Sequence, residues 1–160
     1  MRALVVMLVS VLAGCGEREL GPLAIEVGHG DPFVPVAEGA PLGFDTGAQA
    51  GYHFLINVRA SGLARPGDPE NAGDLDNPIT QLWAYDEDGG GALLTLDPQV
   101  YALGYASRGG AYELGPHILQ MFRRPEELAG HRIRIRVRVR DSAGRDAVAE
   151  RTVSAFHATP

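Results

Sequence analysis

Between residues 132 and 140 the chain alternates arginine with a β-branched aliphatic without a break. Arg132, Arg134, Arg136, Arg138 and Arg140 share one parity; Ile133, Ile135, Val137 and Val139 share the other. A period of two puts the two sets on opposite faces of a strand, whereas a helix would scatter both around its axis. The segment predicts a strand with one buried aliphatic face and one arginine face. Residues 141–146 are rich in turn formers, and residues 147–156 read as extended again, which predicts a closing hairpin. With Glu150, Thr152 and Ser154 outward, their side chains would stand opposite the arginines and relieve the crowding of like charge. The same parity sends Arg151 inward, so a β-bulge is expected there.

The period recurs upstream. Residues 52–60 point Tyr52, Phe54, Ile56 and Val58 one way and His53, Leu55, Asn57 and Arg59 the other. Residues 79–85 form a strand carrying Trp83, and residues 93–96 pair back with it across Gly89-Gly90-Gly91. Residues 101–106 and 112–122 are further strands, with Pro116 marking an edge or a kink in the second. Residues 23–27, 33–36 and 42–44 are short and interrupted by proline, which suits edges. Residues 125–128 make one helical turn, and no long amphipathic helix is present. Many short strands with regular turn signals predict a sandwich or a barrel.

Composition agrees with this. The chain has 160 residues, with 21 glycines and 11 prolines to serve the turns, and 45% of its residues are hydrophobic, enough for one core. All 14 basic residues are arginine, against 20 acidic ones, for a net charge of −6. That balance argues against a dedicated nucleic-acid binder. A single cysteine, Cys15, excludes a disulfide scaffold.

Met1-Arg2 opens the chain, an apolar run broken only by Ser10 follows, and Ala13-Gly14-Cys15 closes the segment. The run is too short to span a bilayer, which takes about 20 apolar residues. A charged start, an apolar middle and small residues at the end have the build of a secretory signal; the alternative is an N-terminal core strand or helix. Leu12-Ala13-Gly14-Cys15 resembles the lipobox of bacterial lipoproteins. The resemblance implies a signal peptide over residues 1–14, a diacylglyceryl group on the Cys15 thiol, an acyl chain on its new amine, and a short lipidated tether over residues 15–22. Anchoring by more than one chain fits the physics, since a single chain holds only marginally. Gly16 occupies the place where that family's inner-membrane retention signal has Asp, which favours the outer membrane. Residues 16–22 would reach at most about 25 Å, so the domain over residues 23–157 would sit close to its membrane.

Two further resemblances concern the domain. The alternating strand ending in Val139-Arg140-Asp141-Ser142-Ala143-Gly144, followed by a last strand, resembles the final hairpin of immunoglobulin-like domains, which implies an all-β immunoglobulin-like sandwich. Gln49-Ala50-Gly51-Tyr52-His53, together with Gly144-Arg145-Asp146-Ala147 and Glu150-Arg151, resembles a group of uncharacterised lipoproteins from GC-rich bacteria. That group carries no activity to transfer.

Candidate chemistry is sparse. His29, His53, His117, His131 and His157 show neither His-Glu-x-x-His nor His-x-His spacing. His53, following Gly51-Tyr52 at a strand start, is the candidate binding histidine; an ordinary strand histidine with a hydrogen-bond partner is the alternative. Asp68, Glu70, Asp74 and Asp76 lie in a long loop over residues 61–78, and clustered carboxylates bind calcium through oxygen. Asp86, Asp88, Gly91 and Asp97 partly imitate a calcium loop, but Gly90 and Leu94 occupy ligand positions and the flanks read as strands. Asp74, Asp76, Asp86 and Asp88 are therefore weak calcium candidates, beside acidic turns that bind nothing. Arg134, Arg136 and Arg138 suit phosphate-bearing polyanions, or form a solvated face that resists edge pairing. Trp83, Tyr85, Tyr101, Tyr105 and Tyr112 form either a sugar platform or core. No Gly-x-Ser-x-Gly elbow occurs, and without lysine there is no phosphate loop.

The reading is a lipid-anchored envelope protein with no cofactor beyond its lipid. It acts as a non-catalytic interaction or scaffolding module with an envelope protein partner. A ligand-binding lipoprotein, using the acidic loops or the arginine face, is the alternative.

Overall fold

The computed structural model describes residues 20–47 and 51–158. Among the described residues the protein is all-β apart from one helical turn. The strands are β1 (Ala24–His29), β2 (Val34–Pro35), β3 (Pro41–Thr46), β4 (Tyr52–Ser61), β5 (Ile79–Asp86), β6 (Ala92–Leu93), β7 (Gln99–Ala102), β8 (Ala106–Arg108), β9 (Ala111–Met121), β10 (Arg132–Arg140) and β11 (Asp146–His157), with α1 (Pro125–Leu128) before β10. The expected strands over 93–96 and 101–106 are not continuous. Only Ala92–Leu93 pairs with β5, and the second segment divides into β7, which pairs β5, and β8, which pairs β9. Gly104 lies at that division, where a Cβ would come 2.4 Å from the Pro69 Cα. The close pass of the 61–78 loop breaks the strand there.

Hydrogen bonds join all eleven strands into one open sheet, in the order β2-β1-β4-β3-β11-β10-β5-β6, with β9 on the other flank of β4. β3 is the link. Its first part pairs parallel with β11, and Asp45 and Thr46 pair antiparallel with the start of β4. Through this link the β1–β4–β9 part and the β5–β10–β11 part bury their aliphatic parities in one core. Phe54, Ile56 and Val58 of β4 meet Leu82 of β5, Ile133, Ile135 and Val137 of β10 and Val153 of β11, all fully buried. Each contributes about 1.5–3 kcal/mol relative to exposure. Phe44 of β3 meets Phe54 edge-on at 6.0 Å. Within this core Thr80 and the Tyr105 hydroxyl satisfy each other at 2.8 Å.

The β10–β11 hairpin has the outward row expected, with Arg132, Arg134 and Arg136 opposite Ser154, Thr152 and Glu150. The bulge expected at Arg151 is absent, and the register runs unbroken past it. Arg151 keeps its inward parity but extends along the sheet, and its guanidinium donates to the Val36 and Glu150 carbonyls. A long side chain can bury its stem and still satisfy its charged head in this way. The irregularity falls elsewhere. Ile56 faces His117 while Val58 faces Leu114, so Gly115 and Pro116 together oppose Asn57. Proline has no N–H to give a ladder, and a bulge is where a strand tolerates it.

The turn of this hairpin holds the entry of the chain. The fully buried Asp141 carboxylate accepts four hydrogen bonds: from the Arg145 backbone N–H at 2.9 Å, from Arg145 Nε at 3.0 Å and NH2 at 2.6 Å, and from the Ala64 N–H at 3.2 Å. Arg145 also donates to the Gly21 carbonyl at 3.0 Å and the Gly62 carbonyl at 2.6 Å. Gly62 has φ +66°, and a Cβ there would lie 2.2 Å from the Pro22 oxygen, so no other residue fits. One ion pair thus joins the last hairpin, the start of the 61–78 loop and the segment leading into β1.

Candidate functional site

Arg134, Arg136 and Arg138 come together on the outward face of β5, β10 and β11, because antiparallel pairing on both flanks sets side chains in rows. Tyr85, Arg134 and Thr152 form one row, Trp83, Arg136 and Glu150 the next, and Gln81, Arg138 and Val148 the third. Arginines two residues apart on one face stand only about 7 Å from each other, so five of them would repel strongly if left alone. Carboxylates lie between them. Glu87 accepts from Arg134 Nε at 2.7 Å, and one Glu150 oxygen is shared by Arg134 at 3.3 Å and Arg136 at 2.9 Å. Asp146 accepts from Arg138 at 3.0 Å, and Asp88 accepts from the Arg132 guanidinium at 2.7 Å and its backbone N–H at 2.8 Å. The Arg134 guanidinium also lies 4.4 Å from the centre of the Tyr85 ring, and that of Arg136 5.7 Å from the centre of the Trp83 ring.

These contacts act on titration. The Arg132 guanidinium beside Asp88 holds that carboxyl below its ordinary range, and Arg138 does the same to Asp146. Arg134 is held above its ordinary value, chiefly by its hydrogen bond to Glu87. Five arginines of β10 against Glu87, Asp88, Asp146 and Glu150 leave the face almost neutral. It is a pre-ordered surface of alternating charge with two aromatic side chains at its β5 border. Tyr105, by contrast, is core, so the five aromatics considered together in the sequence do not form one platform.

The other candidates lie apart from this face. His53 is half-buried on the opposite parity of β4 from Phe54, with Asp45 and Gln120 as ladder neighbours. Asp74 and Asp76 lie in the 61–78 loop. Both Asp74 oxygens face loop backbone, accepting from the Asp68 and Asp76 N–H groups at 3.0 Å, and these bonds hold its carboxyl below the usual range. Asp86 meets His131 Nδ1 at 3.0 Å and accepts from the Gly89 N–H, while Asp88 is engaged by Arg132. Among the described residues no three His, Cys, Asp or Glu side chains are grouped so as to hold a metal ion. Cys15, the signal over residues 1–14 and the tether as far as residue 19 lie outside the described residues. Among the described residues no helix is long and apolar enough to cross a membrane.

Sequence reasoning missed one recess. Where the β4–β9 ladder opens at Asn57, a cavity of about 220 Å³ is lined by Phe33, Leu103, Leu114, Pro116, Asn57 and Arg108. Arg108 reaches Asp31 at 3.0 Å beside it. Its size falls below the roughly 300–1,000 Å³ of ordinary ligand pockets. Only the proline within an otherwise regular strand signalled it in the sequence. No protein family, curated protein or solved structure matches this chain.

Proposed function

We propose that the chain is a lipid-anchored protein of the bacterial cell envelope, with an immunoglobulin-like β-sandwich domain that works by docking an envelope protein and not by catalysis. The lipobox-like Leu12-Ala13-Gly14-Cys15 supports the anchor, and Gly16 supports the outer membrane. The sandwich is supported by two groups of strands burying one core between them, with β3 passing from one to the other as strands at sandwich corners do.

The observation that carries the docking reading is the outward face of β5, β10 and β11. Its arginines are already engaged by Glu87, Asp88, Asp146 and Glu150, which removes most of the attraction for a polyanion. A surface of mixed charge favours a partner with a complementary pattern, and charge pattern confers specificity more than raw affinity. Trp83, Tyr85 and the arginines are of the residue types that dominate the energetics of protein interfaces. The calcium alternative is weakened because the Asp74, Asp86 and Asp88 carboxylates are already used by backbone N–H groups, His131 and Arg132.

Two experiments test this reading. A photo-cross-linking residue at Gln81 or Val148, both on this face, should capture one discrete envelope protein in cells, and Arg136→Glu should abolish the capture. Failure to capture any protein from either position would sink the docking proposal. Cys15→Ala should abolish acylation and leave the signal uncleaved at that site; normal processing of the variant would refute the anchor.

A further inference from the structure

We infer that the end of the domain formed by the β10–β11 turn and the start of the 61–78 loop lies against the phospholipid headgroups, with the β strands rising from the bilayer and the α1 end farthest from it. The inference rests on the lipid-anchor reading of Cys15 and adds an orientation to it.

The chain enters the domain at one end and is held there by three independent contacts. Arg145, itself fastened by the buried Asp141, donates to the Gly21 carbonyl. The Pro22 oxygen presses on the backbone of Gly62, where a Cβ would come within 2.2 Å. Two residues later Ala24 begins its ladder opposite Ser61. Gly21 is therefore fixed beside the hairpin turn and does not trail from it. From Cys15 to Gly21 the chain extends at most about 20 Å. β10 runs nine residues from Arg132 to Arg140, about 30 Å. Its Arg140 end lies at the turn, and its Arg132 end lies with α1, Asp86 and His131. An inverted domain would lift Gly21 farther from the membrane than the tether reaches.

Chemistry at the near end separates standing from lying flat. The exposed turn residues Ser142, Ala143 and Gly144 are small and uncharged, and Arg65 and Arg140 are exposed beside them. The loop carboxylates Asp68, Asp74 and Asp76 gather with Arg65 around a recess at this end, so the contact with headgroup phosphates is made by the turn residues and the two arginines. Lying on the β5–β10–β11 face would desolvate its ion pairs.

The test uses the full acylated chain in vesicles of phosphatidylethanolamine and phosphatidylglycerol containing a nitroxide-headgroup lipid. Cys15 is the only cysteine, so once it is acylated an added cysteine is the sole free thiol. A fluorophore on Ser142→Cys should be strongly quenched, and one on Ala129→Cys, exposed just after α1, should keep its emission. Equal quenching, or stronger quenching at Ala129→Cys, would overturn the orientation. The mass of the N-terminal peptide separates the two claims. Without acyl mass on Cys15 both fail; with it, a lost contrast overturns the orientation alone. Arg145→Gln should reduce the contrast by removing one of the three contacts that hold the entry segment. Because that change also strains the fold, a long Gly/Ser insertion between Gly16 and Glu17 provides the second arm. It leaves the domain intact and should erase the contrast; a contrast that survived it would refute the tether argument.

Discussion

The two arginine-rich regions of this protein use the same chemistry in different surroundings. On the outward face of β10, Arg134 and its neighbours meet carboxylates while 31–40% of each side chain stays in water. At the hairpin turn, Arg145 meets an Asp141 carboxylate with no exposure at all. Exposed pairs exchange one set of hydrogen bonds for another, are screened by salt, and contribute little each. A buried carboxylate has given up its water, so its bonds to Arg145 and Ala64 have no substitute. The first region orders a surface; the second holds three distant segments together.

Removing Asp141 should produce the largest effect. Asp141→Ala leaves the Ala64 and Arg145 N–H groups without their acceptor and is expected to destabilise the fold by about 3 kcal/mol, read by urea denaturation. Its pH dependence sharpens the contrast. Burial by itself pushes the Asp141 carboxyl up, but the Arg145 backbone and guanidinium and the Ala64 N–H together bring it below its ordinary value. With the folded pKa depressed, its stabilisation is complete above the unfolded value, about 3.9, and is lost as pH falls through the folded one. Denaturation midpoints should hold steady from neutral pH to about 5 and drop below about 4, and Asp141→Asn should flatten much of that drop. A wild-type slope unchanged in Asp141→Asn would show that the exposed carboxylates carry the acid sensitivity instead.

Gly62→Ala comes next. It forces a left-handed backbone on alanine and drives its Cβ into the Pro22 oxygen, for an expected loss of about 2 kcal/mol. The same substitution at the turn glycine Gly110, which has positive φ but open space around it, should cost less; equal losses would mean that the segment entering β1 is not pressed against the loop. Arg134→Gln on the outward face is the smallest change, under about 1 kcal/mol at low salt and smaller still at high salt. A loss matching that of Asp141→Ala would erase the distinction between the regions.

Legibility followed the range of the interaction. The β10 strand and its buried parity are legible in residues 132–140, because the side-chain period of a strand is two, whereas the register that sets Glu150 and Thr152 opposite the arginines is decided by the pairing itself. Arg134, Arg136 and Arg138 share one face in the sequence period and in the fold. Their neutralisation by Glu87 and Asp88 was not visible, because it depends on β5 pairing with β10 across some 45 residues of chain. The β7–β8 break arises from the Pro69 backbone passing over Gly104, and the bulge at Asn57 from a proline whose consequence depends on its partner strand. Arg151 was misjudged for a different reason: parity sets where a side chain starts, and a long one can still reach past the edge of its strand.

By itself the sequence determined the all-β class, the turn positions and the arginine row, since each is written in neighbouring residues and in local backbone preference. Only the tertiary structure decided that β3 links the two groups of strands, which carboxylates meet the arginines, and that Asp141 and Arg145 hold the chain where it enters β1. These depend on pairings between residues far apart in the chain. A long-range contact forms only when the core has already placed both partners, and no local pattern specifies which partner that will be.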